Sequence, residues 1–582
     1  MQIDYAMEKL RNLEYFAGLN YNIVREWRKE SVTESYLQKE ITYEGGMVVE
    51  QGTSDTIRRA EHFQVALTGE GIIVGGIAGF VVILYRMVLE FANDTLKQIL
   101  GFIGGHPIRI AGWFLVLVLL AWIVGKLVSA EPMISGSGIP QLEGEMVGKL
   151  DQNWWRVIGG KFLGGFLCLL GGLALGREGP SIQLGAMAGK AVSKGLERGK
   201  TEEKFLLTCG ASAGLAAAFH APLAGVMFSL EEVHKNFSVS VLMSVMASSL
   251  TADFLATTVF GMTPVFNFDI VKPLPIQFYG MIVLLGILLG ALGTFYNWFT
   301  LKVQSLYNEA KFLNTKTRLV IPFVCAGFLG IKAPELLGSG HALIEYLTNV
   351  DVMLGTVIFI LVSRFIFSAV CFGSGAPGGI FFPLLVLGGF IGGVFATVGV
   401  DYFGMDPVYI NNFVVLAMAG YFSAIVRAPL TGIILLFEMT GSLTQMLTVS
   451  MVSIIAYIVA TLLESKPVYE SLLERLLLKQ QTDAKEKQEA KKAEAGHGRK
   501  ILTNFVVQYN SALNEAFISE IKWPDNCLVV SVQRGVKEII PRGTTKLQVG
   551  DVIVILMNER DMAYVHDWME NLCTAKDYFI AE

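Results

Sequence analysis

The chain has 582 residues, of which 53% are hydrophobic and only 17% are charged, and its mean hydropathy is +0.51. Soluble domains carry about 25% charged residues, so this composition excludes an ordinary soluble protein and favours a protein embedded in lipid. The net charge of −5 is small for such a length, and it predicts no nucleic-acid partner.

The residues that usually carry chemistry show no pattern typical of an enzyme or a metalloprotein. The six cysteines and the seven histidines are scattered singly, without a C-x-x-C pair. No nucleophile elbow, phosphate-binding loop or zinc-ligand spacing occurs in the sequence. We therefore expect no catalytic activity, no metal and no cofactor.

In chain order the sequence divides into four parts. Residues 1–66 are a polar N-terminal segment, and residues 67–478 are a membrane body. Residues 479–500 are a charged linker, either solvated coil or helix, and residues 501–582 are a small α+β domain. Basic residues flank the membrane body at both ends, so the positive-inside rule predicts a multi-pass protein of the cell membrane with both termini in the cytoplasm.

Apolar segments of two lengths make up the membrane body. The long ones approach the roughly 20 residues needed to cross a bilayer; they begin near Gly71, Ile110, Val157, Val239, Phe278, Val352, Asn412 and Met446. The short ones are interrupted by glycine or proline; they cover residues 179–193, 204–217, 222–234, 379–399 and 427–439. Interrupted helices of this kind mark a binding site near the bilayer midplane in transporters.

An internal repeat is the strongest signal in the sequence. Residues 176–189 and 379–392 share glycine, proline and leucine at the same spacing, G-x-x-G/F-P-x-x-x-L-G-x-x-x-G. Residues 221–231 and 428–438 share A-P-L-x-G followed by a glutamate at the same distance. Two motifs that recur in the same order predict a membrane body built from two duplicated halves.

The prolines of the repeat predict where short helices begin. Proline fits the first helical turn, where its missing N–H has no intrahelical acceptor; this applies to Pro180, Pro222, Pro383 and Pro429. The N-terminus of a helix carries unsatisfied N–H groups and about half a positive charge, which suits an anion. Several such ends meeting inside the membrane predict an anion site. The alternative, that each proline is only a kink, does not explain why the breaks are paired.

Four segments resemble the signature sequences of the CLC chloride channels and proton/chloride antiporters. They are Gly136-Ser-Gly-Ile-Pro140, Gly176-Arg-Glu-Gly-Pro180, Gly379-Ile-Phe-Phe-Pro383 and Lys466-Pro-Val-Tyr469. The resemblance covers residues 67–478. It implies an all-α polytopic fold of about 18 helices in two inverted-topology halves, and a homodimer with one pore per subunit that carries chloride and protons through the lipid bilayer.

The resemblance also implies roles for particular residues. Ser137 and Tyr469 would offer hydroxyl groups to a central chloride, and the backbone N–H groups of Ile380 and Phe381 would complete that site. Serine at position 137 favours chloride over nitrate or fluoride. Glu178 would be the external gate and proton acceptor, occupying an anion position when ionised. Glu232 would transfer protons on the internal side, which favours an antiporter over a channel.

Alternatives exist for the glutamates. A carboxylate inside a membrane is costly and usually functional, but Glu178 could instead form a structural ion pair with Arg177. Glu232 could be a solvent-exposed charge at the end of a helix. The remaining acids of these segments are expected to be helix-end or packing residues; they are Glu143, Glu145, Glu231 and Glu438.

The C-terminal part resembles the C-terminal domain of TrkA/RCK regulators of potassium transport, on residues 526–556. Residues 527–533 and 551–557 predict strands, and residues 541–543 and 549–551 predict turns. The resemblance implies a regulatory domain with an unidentified small-molecule ligand. A dimerisation or stability module without a ligand is the alternative.

Three other functions compete with an antiporter. An uncoupled chloride channel, gated by voltage or pH, would share its pore residues and lack proton transport. A potassium channel is suggested by Thr397-Val-Gly-Val-Asp-Tyr402, which partly resembles a TVGYG filter but lacks its Tyr-Gly. A membrane-bound receptor acting through residues 501–582 would leave the repeated helix breaks unexplained.

Overall fold

The computed structural model describes residues 53–574, except 263–264, 267–271, 311–312, 350–352, 495–499, 525–526, 536 and 559–560. Most of the predicted N-terminal segment, residues 1–52, therefore lies outside the described residues. Eighteen α-helices and four strands occur in the described part. The chain divides into two compact units, one ending at Leu476 and the other beginning at Leu477.

The helices of the first half of the membrane unit follow one another with short connections. They are α1 (Thr53–Ile103), α2 (Pro107–Ala130), α3 (Ile139–Met146), α4 (Trp154–Leu170), α5 (Glu178–Gly195), α6 (Lys200–Phe219), α7 (Pro222–Phe228) and α8 (Val239–Phe260). A π-helical turn, Ser229–His234, continues α7. Helix α1 begins at Thr53, well before the predicted start of the membrane body at residue 67.

The second half repeats this mixture of long and short helices. They are α9 (Tyr279–Glu309), α10 (Val320–Lys332), α11 (His341–Asn349), α12 (Leu354–Gly373), α13 (Phe381–Phe403), α14 (Ile410–Val426), α15 (Pro429–Thr440), α16 (Met446–Leu462) and α17 (Val468–Glu494). The segment that resembled a potassium filter, residues 397–402, lies within helix α13, so it cannot present the extended ring of carbonyls that a filter needs.

Seven helical segments of the described residues are long and apolar enough to cross a membrane. They are Gln64–Ile103, Pro107–Ala130, Val241–Phe260, Ile276–Glu309, Leu354–Gly373, Phe381–Phe403 and Pro407–Val426. Two of the predicted long spans, α4 and α16, have 17 residues each and are shorter than these seven segments. The segment predicted as short at 379–399 is the 23-residue helix α13. The chain is therefore a multi-pass membrane protein that combines long and short helices.

Glycines let the long helices pack at very short distances. A Cβ atom on Gly71 would lie 2.4 Å from the carbonyl oxygen of Ser244, and one on Gly75 would lie 2.2 Å from that of Ser248. Helices α1 and α8 therefore touch backbone to backbone, which any larger residue would prevent. The side chain of Val459 from α16 packs directly against Gly290 in the same way.

The glutamate of each repeat binds the start of the short helix in the other repeat. The Glu231 carboxylate of the first repeat accepts hydrogen bonds from the backbone N–H groups of Leu430 and Thr431, at the start of α15. The Glu438 carboxylate of the second repeat accepts from Leu223 and Ala224 (2.9 and 2.7 Å), at the start of α7. Each acid thus caps the proline-initiated helix of the other half, a contact typically worth about 1 kcal/mol.

All four predicted helix starts are confirmed. Pro222 and Pro429 occupy the first positions of α7 and α15. Pro180 and Pro383 lie in the first turns of α5 and α13. The paired helix breaks expected from the repeat are therefore present, and the helix N-termini that could bind an anion exist.

The C-terminal unit is a small open sheet covered by one helix. Strands β1 (Lys500–Val506), β2 (Cys527–Arg534), β3 (Lys537–Ile539) and β4 (Val552–Asn558) form an antiparallel sheet in the order β1-β4-β2-β3, followed by α18 (Met562–Cys573). The buried residues of β4 alternate, as expected for a strand with one face in the core. Helix α17 runs to Glu494, so residues 479–494 are helical, which decides between the two alternatives for the linker.

A buried ion pair fixes the turn that precedes β4. The Asp551 carboxylate is completely buried and accepts two hydrogen bonds from the Arg534 guanidinium, each of 2.8 Å. It also accepts a hydrogen bond from the backbone N–H of Gln548 (2.9 Å), which closes the turn around Gly550. The predicted strands and turns of this domain are confirmed, whereas β1 and β3 were not predicted.

Candidate functional site

Three glycine-rich loops meet inside the membrane unit through backbone hydrogen bonds. Gly176 and Gly379 form a two-way antiparallel bridge, with N–H to carbonyl distances of 2.7 and 2.8 Å. Gly378 donates to the carbonyl of Gly136 at 3.0 Å. These bonds join the loops that precede α3, α5 and α13, and so bring together the N-terminal ends of three helices from both repeats.

Ser137 lies directly against the start of α5. A Cβ atom on Gly179 would lie 2.9 Å from the Ser137 Cβ, so only glycine admits this approach. Ser137 is 2% exposed, and its Oγ lies 3.4 Å from the N–H of Ile139. The hydroxyl therefore lies at the junction of the loops, as the sequence-based assignment requires.

A buried lysine fixes the loop that carries Ser137. The Lys161 ammonium is completely buried and donates to the carbonyl oxygens of Ile134 (3.0 Å) and Gly136 (2.6 Å). Sequence analysis did not identify Lys161, although a lone charge in an apolar helix is a signal of function. These two hydrogen bonds hold the Ser137 loop in place at the junction.

Ile380 and Phe381 stand at the start of α13, and both are completely buried. The first N–H groups of a helix have no intrahelical acceptor, so these groups can bind a ligand. The Phe381 ring packs against the rings of Phe219, Phe228 and Phe422, with centroid distances of 5.6, 5.8 and 4.7 Å. This aromatic packing holds the backbone of the helix start in a fixed position.

Glu178 is the first residue of α5 and is 1% exposed. Its Oε2 atom has no hydrogen-bond partner among the described residues, although the backbone N–H of Phe382 faces the carboxylate. The Arg177 guanidinium lies 3.9 Å away, too far for a hydrogen-bonded ion pair, and it also approaches Glu90 at 3.4 Å. The Glu178 carboxylate therefore forms no close ion pair with Arg177.

Glu232 lies in the π-helical turn after α7 and is 5% exposed. Its carboxyl group lies within hydrogen-bonding reach of the carboxyl group of Glu143, whose other neighbour is the Lys235 ammonium at 4.0 Å. Two ionised carboxylates can only accept hydrogen bonds, so a direct bond between these two groups would need a proton on one of them. The structure thus adds Glu143 to the candidate proton site; no motif of the sequence predicted that Glu143 lies next to Glu232.

Tyr469 lies near the start of α17 and is completely buried. Its hydroxyl group has no hydrogen-bond partner among the described residues. Glu232, Glu143 and Glu178 all lie close enough to act on it electrostatically. A buried hydroxyl without a protein partner is rare, and an anion would accept its hydrogen bond.

The remaining predicted packing acid lies away from this site. Glu145 accepts hydrogen bonds from the buried Lys190 ammonium and from Gln152. Lys190 also donates to Asp151 and to the carbonyl of Gln152, both at 2.6 Å, so all three of its protons are used. This saturated network ties the end of α3 to α5 and has no free group for transport.

Comparison with known proteins identifies the membrane unit. The family described as voltage gated chloride channel matches residues 114–461, more than half of the chain. The chain belongs to the CLC family. A second family, the TrkA-C domain, matches residues 502–570. The CLC match includes the three glycine loops, α13 and Glu232, whereas Tyr469 lies just beyond its end.

Relatives and solved structures agree with this CLC assignment. The H(+)/Cl(−) exchange transporter ClcA of Vibrio cholerae is 36% identical over 70% of this chain and 88% of its own length. The transporter of the same name from Klebsiella pneumoniae is 32% identical over 76% of this chain and 96% of its own length. A slow cyanobacterial Cl−/H+ antiporter of known crystal structure matches 71% of this chain and 99% of its own, with a TM-score of 0.68 and 30% identity.

Proposed function

We propose that this chain exchanges chloride for protons across the cell membrane, with Glu178 as the gate shared by both ions. The observation that carries the proposal is the pair of buried acids: Glu178 at the meeting of two helix N-termini, and Glu232 beyond Tyr469. An anion pathway needs no second buried acid, whereas proton transfer does. The names of the similar exchange transporters support the same function.

The anion would bind where the loops meet. The hydroxyl groups of Ser137 and Tyr469 and the N–H groups of Ile380 and Phe381 supply four donors without a formal positive charge. Such a site binds an anion firmly enough to select it, yet it releases the anion more readily than a cluster of arginines would. Chloride and protons are thus the transported ions, and the mechanism that we propose uses no cofactor.

Glu178 would couple the two ions by competing with chloride. When ionised, its carboxylate occupies the N–H groups at the start of α5 and blocks the anion path. When protonated, it loses its attraction to those groups, and chloride replaces it. Each exchange of carboxylate for chloride therefore requires one proton to bind or leave.

Proteoliposome flux measurements test the antiport directly. Chloride efflux and proton uptake are recorded together after a chloride gradient is imposed. Proton movement against its own gradient, in fixed proportion to chloride, is the result we expect. Chloride flux without proton movement would instead identify the uncoupled channel as the function.

The anion-site residues carry a separate prediction. Tyr469→Ala removes one hydrogen bond to a charged ligand, a loss of about 1.5–3 kcal/mol, so chloride affinity should fall roughly 10- to 100-fold. Ser137→Pro should shift the preference from chloride toward nitrate. Isothermal titration of both variants with the two anions is the measurement; wild-type affinity and selectivity in both would contradict the placement of the site.

Assembly and orientation follow the same proposal. We propose a homodimer with one pore in each subunit and with both termini in the cytoplasm. Chemical cross-linking in native-like vesicles should trap a species of twice the monomer mass. Tags at the two termini should become accessible to protease only from the cytoplasmic face, and a terminus cleaved from the opposite face would refute this orientation.

Residues 501–582 are proposed to be a regulatory domain that binds a small molecule. The domain has its own buried core, which includes Phe505, Val532, Ile555 and Met569. Removing residues 495–582 should therefore leave membrane insertion and basal chloride flux largely intact. The change in chloride flux that cell extract causes in the full chain should be altered in the truncated chain. A truncated chain that inserts poorly would show that the domain serves stability instead.

A further inference from the structure

A cavity of about 270 Å³ lies beside the gate, and a buried arginine lines it. Its wall includes Gly176, Arg177, Glu178 and Phe382 from the two repeat motifs, together with Arg86 of α1 and His220. We name this cavity the vestibule. A water molecule takes about 30 Å³ of liquid, so the vestibule has room for an ion with several waters.

Arg86 is an unusual residue for its position. It is the sole ionisable residue other than Tyr85 between Gly71 and Leu89, and it is only 6% exposed. Its guanidinium stacks on the Phe260 ring at 3.9 Å from the centroid, which fixes the plane of the group. Ionisable residues held inside membrane helices usually mark an ion pathway, and Arg86 lines the cavity beside Glu178.

The hydrogen-bond partners of Arg86 carry no negative charge to balance its guanidinium. Nη1 donates to the carbonyl of Ala217 (2.8 Å) and approaches His220 Nε2 (3.1 Å), while Nε is buried without a partner among the described residues. A guanidinium can only donate, so His220 Nε2 is the acceptor in this contact. Neither partner is a carboxylate.

The nearby acids contact other cationic or imidazole groups rather than Arg86 itself. Asp253 approaches His220 Nδ1 at 3.4 Å, on the far side of the ring from Arg86. Glu90 approaches Arg177 at 3.4 Å, and Glu178 would lose its charge whenever the gate is protonated. A buried cation without a direct counter-charge is costly. An anion in the vestibule would remove that cost.

We propose that Arg86 holds a chloride ion in the vestibule before it reaches the gate. The site is built from α1 and the end of α6, outside the repeat motifs that form the anion site described above. A waiting chloride next to Glu178 would enter as soon as protonation withdraws the carboxylate. This inference rests on the proposed exchange function, since it assigns the site to the same transported anion.

Bromide, which scatters X-rays anomalously and mimics chloride, tests the site directly. Crystals of the full chain in bromide should show one anomalous peak at the loop junction and a second within contact distance of the Arg86 guanidinium. Arg86→Gln should abolish the second peak and keep the first, and Arg86→Lys should weaken it. The matched control is Lys97→Gln, an exposed residue of the same helix that pairs with Asp94 outside the vestibule; it should change neither peak.

Transport kinetics supply the second measurement. The chloride concentration for half-maximal exchange from the vestibule side should rise about tenfold in Arg86→Gln, the loss of one charged hydrogen bond, while calorimetric affinity at the central site stays unchanged. The wild-type crystal is sufficient even if the variant does not fold. If it shows no second peak at bromide concentrations that fill the central site, the proposal is overturned. An unchanged second peak or half-maximal concentration in Arg86→Gln overturns it too. A chain that binds bromide beside Arg86 yet moves no protons would refute the antiport and retain the site.

Discussion

Glu178→Gln should abolish proton transport and leave chloride flux in place. Glutamine has nearly the same shape as a protonated glutamate, so the variant mimics the open gate permanently. It cannot bind or release a proton, and proton flux should fall by at least about a hundredfold, the range that a positioned acid–base group contributes. Chloride flux should also become independent of pH, because the carboxyl group that links chloride flux to proton binding is gone.

Paired flux recordings in proteoliposomes at several pH values are the measurement. Glu335→Gln is the matched control, since this carboxylate is exposed and lies away from the three loops. It should behave like the wild type in both fluxes. Glu178→Ala should give the same result as Glu178→Gln, because the proposal depends on the lost proton rather than on the amide. Proton-coupled, pH-dependent exchange in either variant would refute the gate.

The features that sequence predicted well are those that local backbone chemistry encodes. Proline at a helix start and glycine at a close approach leave a signature that does not depend on distant residues, and so Pro222 and Pro429 were placed correctly. Two strands of the C-terminal domain, β2 and β4, followed in the same way from their short apolar runs between turn residues. Because each proline and glycine pattern occurs in both halves, each half supported the prediction made for the other.

Lengths and boundaries were less predictable because they depend on packing. The apolar segment in α16 looks like a full span by hydropathy, yet its helix has 17 residues and one side of it packs against α9 and α14. Helix α13 contains five glycines and looked broken, but two of them, Gly388 and Gly392, pack closely against Ala417 and Met418 of α14 instead of ending the helix. Hydropathy does not distinguish these cases.

Contacts between distant segments could not be predicted at all. Glu143 and Glu232 lie in different helices, and the pairing of their carboxyl groups follows from how α3 packs on the π-helical turn. The reciprocal caps made by Glu231 and Glu438 are similar, since each requires the fold of the other half. Arg86 gave a signal as a lone charge in an apolar span, but only the cavity beside it indicates what it could bind.

The antiport depends most on Glu232. Protons and chloride cannot share a whole route, because the anion site offers hydroxyl and N–H donors and no group that would accept a proton on the inner side. A second acid solves this, and Glu232 is buried, lies close enough to Tyr469 to act on it, and touches Glu143. A hydrogen bond between these neighbouring acids would need one proton, and a pair that shares a proton could store it and pass it on.

Glu232→Gln should stop proton transport yet leave chloride flux and the central anion affinity within about twofold of the wild type. The glutamine amide can still donate a hydrogen bond to Glu143, so packing is kept while the titrating group is removed. Calorimetric chloride binding and paired fluxes measure the two effects separately. Glu143→Gln is the informative comparison. If the two acids share a proton, this variant should slow proton transport. If Glu143 is purely structural, proton transport should be unchanged. Uphill proton transport at the wild-type rate in Glu232→Gln would mean that the inner acid lies elsewhere, and chloride flux lost together with the protons would mean that Glu232 supports the pore instead of the proton route.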